Sequence, residues 1–156
     1  MLIFASLLMA AAVNGTAAAQ AAKPKAAGAA KTNITSQQAA ALKLAWDNLY
    51  RGYADLLATP PDVKGDTSRL EPHMKAAMNL LHQADPAAIA EAPSNIPVMH
   101  KGQTRAAIFN ATKGHLEKAK RTLEGAKVSS TYVEQALQHI GVAETELAGA
   151  QAAPAK

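Results

Sequence analysis

Cysteine is absent from all 156 residues. That excludes disulfides, thiolate metal ligands, iron–sulfur clusters and haem attached covalently through CxxCH. Aromatic residues are scarce at 4%, with one Trp, three Tyr and two Phe. Any core must therefore rest on aliphatic side chains and alanine. Basic residues are not concentrated on an Arg-rich helix and do not alternate with aromatics, so no nucleic-acid partner is expected. Glycine-rich phosphate loops are missing. So is Glu-x-x-His, the spacing that builds di-iron sites in helical bundles. No two histidines stand three or four apart, as a metal pair on one helix requires. No Ser-His-Asp arrangement stands out either, and the chain reads as a non-enzyme.

Long apolar runs are limited to one. Residues 1–13 are MLIFASLLMAAAV, followed by Asn14-Gly15-Thr16 and then Ala17-Ala18-Ala19. The run is too short for the roughly 20 residues of a membrane span. Small residues ahead of Gln20 fit signal-peptidase cleavage, so 1–19 reads as a secretory signal. No Lys or Arg stands near Met1, which leaves open a start further upstream. The expected setting is the periplasm or the exterior, without stable membrane insertion once the signal is removed.

Residues 20–34 (QAAKPKAAGAAKTNI) carry Lys23, Lys25 and Lys31 but almost nothing large to bury. They read as a flexible leader. The formal net charge is +4, so without those lysines the rest of the chain is close to neutral. Residues 35–149 form the expected folded domain, and 150–156 a flexible tail.

What is present is helical periodicity. Thr35 and Gln38 have capping-box spacing. The segment that follows, to about Ala58, places Leu42, Ala45, Trp46, Leu49, Tyr53 and Leu56 on one face. Gly52 is a weak point in that helix, and Pro60-Pro61 stop it. A second helix starts near Ser68, with Glu71 as its cap partner, and buries Met74, Ala77, Met78, Leu81 and Ala84. Asp85-Pro86 suggest a short helix over 86–92, and 93–103 is expected to cross the surface irregularly. A third helix runs from about Thr104 to Leu123 or Glu124, with Gly125 ending it. Thr131 and Glu134 cap a fourth helix, striped by Val133, Ala136, Ile140, Ala143 and Leu147.

One pattern recurs in three of these helices: His73–Ala84 (HMKAAMNLLHQA), His115–Ala126 (HLEKAKRTLEGA) and Tyr132–Ala143 (YVEQALQHIGVA). Its alanines allow close approach and its large residues fill the seam. No helix can hide such a stripe alone. The expected fold is all-α: an antiparallel up-and-down four-helix bundle with a long crossover between the second and third helices. Two hairpins stacked as a solenoid form the alternative.

These HxxxA and AxxxL segments, over about 70–150, resemble those of small exported bacterial Ala-rich helical proteins of unassigned function. The resemblance implies a periplasmic setting and carries no site residue. Haem-binding bundles are similar in size, and non-covalent haem through Met74, Met78 or a histidine stays open.

Candidate site residues follow from side-chain chemistry. His73 and His115 occupy equivalent edge positions and would serve as metal ligands if the second and third helices were neighbours. His82, nine residues after His73, faces the opposite way. His100 stands in the crossover as a candidate ligand contact. Trp46 and Tyr50 offer an aromatic wall for a ligand or an interface, or are simply large core residues. Asp47–Arg51, Arg51–Asp55, Lys43–Asp47, Glu117–Arg121 and Lys120–Glu124 read as surface ion pairs. The function expected is a structural or partner-binding role in the envelope, the partner being a second copy or another envelope protein. The alternative is a small-ligand or transition-metal binding protein using the histidines. No cofactor is specified.

Overall fold

The computed structural model describes residues 33–57, 67–96 and 103–153, all within a unit spanning Lys31–Lys156. The segments read as signal and leader, up to residue 32, lie outside the described residues. Four long helices account for most of the described part: α1 (Ser36–Leu57), α2 (Leu70–Ala84), α3 (Arg105–Ala126) and α4 (Thr131–Ala152). They form the expected four-helix bundle with its crossover.

Helix α1 starts as its capping box requires. The Gln38 backbone N–H donates to Thr35 Oγ1 at 3.2 Å, and the Thr35 N–H donates back to Gln38 Oε1 at 3.0 Å. Thr104 caps α3 by accepting from the Ala107 N–H at 3.3 Å. The other two caps differ from expectation. Arg69 is the N-cap of α2 and Ser130 that of α4, and neither side chain makes a capping bond. Their first turns are held by tertiary packing instead, as is common where an apolar stripe is buried.

Helix α3 does not stop at Gly125. It continues to Ala126, and Lys127 takes the left-handed conformation at φ 48°, which ordinarily favours glycine. Helix α4 extends to Ala152, into the stretch read as tail. The short helix expected over 86–92 is a single turn. The Ala88 and Ile89 N–H groups donate to Asp85 O at 3.3 and 3.1 Å, and the chain is irregular beyond.

The tight pairs are α1 with α3 and α2 with α4, while α1–α2 and α3–α4 touch less extensively. Each helix thus packs mainly against one from the other half of the chain. Helices α1 and α3 run antiparallel: Gln38 at the start of α1 reaches the Ala126 and Lys127 carbonyls, and Asn48 meets His115. Helices α3 and α4 are antiparallel too, since Arg105 reaches Ala150 and Ala153 while Lys120 reaches Glu144.

The recurring pattern explains this packing. Its second, fifth and ninth positions are buried in every copy: Met74, Ala77 and Leu81; Leu116, Ala119 and Leu123; Val133, Ala136 and Ile140. Each buried Leu, Ile or Met contributes roughly 1.5–3 kcal/mol of apolar transfer. The alanines between them let backbones close up. Ile89 and Ile96, from the crossover, are also buried and join the core. The crossover is fastened to α2 at Asn79, whose Oδ1 accepts from the Ala92 N–H at 2.9 Å, and at His82, whose Nδ1 lies 2.7 Å from Ile89 O.

Gly52 is a close-packing position rather than a weak point. A Cβ there would lie 3.0 Å from Met74 Cε and 3.2 Å from His115 Cβ. Helices α2 and α3 both press on α1 at this residue.

Candidate histidine sites and the α1/α3 groove

The first position of the recurring pattern is held by His73, His115 and Tyr132. All three are half-buried, because this position borders the stripe without entering it. A side chain there reaches whatever the neighbouring helix places at the same level. For His73 that neighbour is His139 of α4, with Nδ1 to Nδ1 at 3.0 Å and ring centroids 5.3 Å apart. For His115 it is α1. His115 Nδ1 lies 3.3 Å from Asn48 Oδ1, and Nε2 lies 3.7 Å from Asp55 Oδ2.

His73 and His115 therefore stand in separate seams, since α2 and α3 are not principal neighbours in the bundle. The partner of His73, His139, was legible only in part. It occupies the eighth position of the third copy, seven residues after Tyr132. Seven residues make almost two helical turns and return to the same edge. What periodicity leaves open is that this edge of α4 faces that edge of α2.

Electrostatics separates the two sites. Burial holds His115 below the ordinary histidine value. The Asp55 carboxylate opposes that effect, while Lys118 and Arg51 add to it. His139 is held low by burial first and by the charge of His73 second. Burial raises the Tyr53 phenol, with Glu71 adding to the effect.

Asp55 is not a surface residue paired in the expected way. It is buried, with its side chain 8% exposed, and turned toward His115. Lys120 likewise reaches Glu144 on α4 at 2.8 Å, across the seam. The Lys43–Asp47 pair and the Arg121–Glu117 pair, at 3.8 Å, are present.

Trp46 is buried and belongs to the core cluster. Half-buried Tyr50 stacks on it at 5.4 Å with planes 11° apart, and Lys43 lies over the indole at 5.5 Å. Met74 and Met78 are fully buried in the same core. His82 is occupied with Ile89 O and stands 3.7 Å from Glu91. His100 lies outside the described residues. Among the described residues, no three His, Asp or Glu side chains come close enough to hold a metal together. No helix there is long and apolar enough to cross a membrane.

The α1/α3 pair also bears an open groove of about 410 Å³. It is lined by Leu44, Asn48, Arg51, Lys118, Arg121 and their neighbours. Leu44 is 54% exposed, and among the described residues Val142 on α4 is the other large exposed hydrophobic. Composition did not mark this groove, because each of its residues looks like ordinary helix surface.

Comparison with protein-family models, curated proteins and solved structures gave no match.

Proposed function

We propose that this is a non-enzymatic bundle protein of the bacterial envelope that docks an acidic protein segment on its α1/α3 face. One observation carries the reading. Exposed Leu44 sits in a groove with Arg51 and Lys118, both exposed, and Arg121. Asp47, the carboxylate in the lining, is engaged by Lys43. An apolar anchor within a rim of guanidinium and ammonium groups suits a partner helix or strand carrying Asp or Glu beside an aliphatic residue. The secretion-type start and the resemblance to exported Ala-rich helical proteins support the envelope setting.

Site-specific photocrosslinking in the source cells tests it. A photoreactive residue at Leu44 should give one discrete heavier adduct. That adduct should vanish when Arg51→Glu and Lys118→Glu are combined, and should be missing when the probe is placed at Val142. Labelling that is equal at both positions would sink the proposal. So would an adduct of twice the chain's own mass, since a second copy would then occupy the face.

A further inference from the structure

We infer that His73 and His139 form a two-imidazole site for a divalent transition-metal ion, copper(II) in particular, at the α2/α4 seam.

The geometry is the first support. The two Nδ1 atoms are 3.0 Å apart. A metal about 2.0–2.1 Å from each nitrogen would then see them at an angle of about 91–97°. That is the cis angle of square-planar or tetragonal coordination, which copper(II) and nickel(II) favour. The rings are tilted 38° from one another. Rotation about each Cβ–Cγ bond is the freedom by which the two Nδ1 lone pairs would turn toward one ion.

The second support is the chemistry of the pair without a metal. Two Nδ1 atoms at hydrogen-bond distance must share one proton, so one ring donates and the other accepts. If both rings are protonated, two N–H groups face each other. If neither Nδ1 carries hydrogen, two lone pairs do. A metal cation takes the place of that hydrogen between the rings: the donating ring carries its proton on Nε2 instead, and both Nδ1 lone pairs are then free to bind the ion.

The third support is the setting. Each ligand stands on a long helix whose packing is fixed by its buried neighbours, Met74 and Ile140. Both rings are half-buried, so an ion reaches them from solvent. No third His, Asp or Glu joins them among the described residues, so water completes the shell. Such an open two-nitrogen site exchanges its ion readily. With imidazole donors, affinity follows the order that peaks at copper(II). The site is independent of the α1/α3 face, and either proposal can fail alone.

The test uses untagged protein titrated with copper(II), nickel(II) and zinc(II) in turn, followed by calorimetry and, for copper, by electron paramagnetic resonance. One copper per chain is expected, bound more tightly than nickel or zinc. The spectrum should show nitrogen coupling from two imidazoles. His73→Gln and His139→Gln should each weaken copper binding at least about tenfold, whereas His82→Gln should leave it unchanged. Binding should weaken as the pH falls from about 7.5 to about 5.5, because protons compete for the rings. The inference is overturned by tighter binding of zinc than of copper, or by copper affinity that survives His139→Gln. If that variant does not fold, the wild-type spectrum decides, and coupling from fewer than two imidazoles overturns it.

Discussion

Gly52 shows how a residue can carry two meanings. Read alone, a glycine inside a helix is a defect of roughly 1 kcal/mol relative to alanine. In the bundle its missing side chain is the space into which Met74 Cε and His115 Cβ fit. Met74 ends in a flexible thioether and can yield, but His115 Cβ moves only with the α3 backbone. Gly114, on α3, has nothing within 4 Å of its added Cβ. The two alanine variants should therefore diverge. Gly114→Ala should gain about 0.5–1 kcal/mol. Gly52→Ala should lose that gain to overpacking, which costs about 1–3 kcal/mol. Urea denaturation of both variants checks the difference, and equal stabilisation would show that α3 shifts freely at this point. The histidines teach the same lesson. Their edge positions follow from helical periodicity, but the identity of the facing atom in each seam does not.

At the scale of elements, helix ends are closed by side chains from other helices as much as by their own. Gln38 is shared: its Oε1 accepts from Thr35 at the start of α1, while its Nε2 donates to the last carbonyls of α3 at 3.4 Å. Arg105, the first residue of α3, donates to Ala150 O at 2.5 Å and Ala153 O at 3.2 Å, closing the end of α4. A cation at a helix C-terminus is favourable in its own right, and a hydrogen bond to a charged group is worth about 1.5–3 kcal/mol. Arg105 also lies over the Phe109 ring at 5.0 Å. Arg105→Gln should therefore fray the last turn of α4, with faster amide exchange across 148–153 and little change at the centre of α2. Unaltered exchange in that turn would show that packing alone holds it. The capping box at Thr35 was visible as four residues of sequence. The Arg105 clamp joins residues 45 apart in the chain, and only the antiparallel packing of α3 on α4 brings them together.

For the whole molecule, the link between protonation and folding sets the response to acid. His115 has its folded value below the ordinary 6.5, so the unfolded chain takes up this proton first as pH falls. The stability tied to neutral His115 is full above 6.5. It is lost progressively as pH drops below 6.5 and through the folded value. Asp55 and Arg51 face the ring from α1 and Lys118 accompanies it on α3. The urea midpoint should fall between about pH 7.5 and about pH 5.5, and the fall should be smaller in His115→Gln. The same slope in both proteins would remove His115 from the acid response. The bundle's topology explains why such sites form between distant segments. The tight pairs are α1 with α3 and α2 with α4, so every main seam brings together residues far apart in the chain.

The sequence by itself determined four helices, the stripe each would bury and the half-buried edge that would carry His73, His115 and Tyr132. Those properties repeat every three or four residues, and a single helix suffices to express them. Tertiary structure decided which edges meet: His73 with His139, His115 with Asn48 and Asp55, and Leu44 left facing solvent. It also turned the expected 86–92 helix into a single turn whose Ile89 enters the core. The reason is physical. Periodicity fixes how far a side chain lies from its own helix's seam, but the pairing of seams depends on close contact across the whole core, where small residues such as Gly52 and the periodic alanines permit approach.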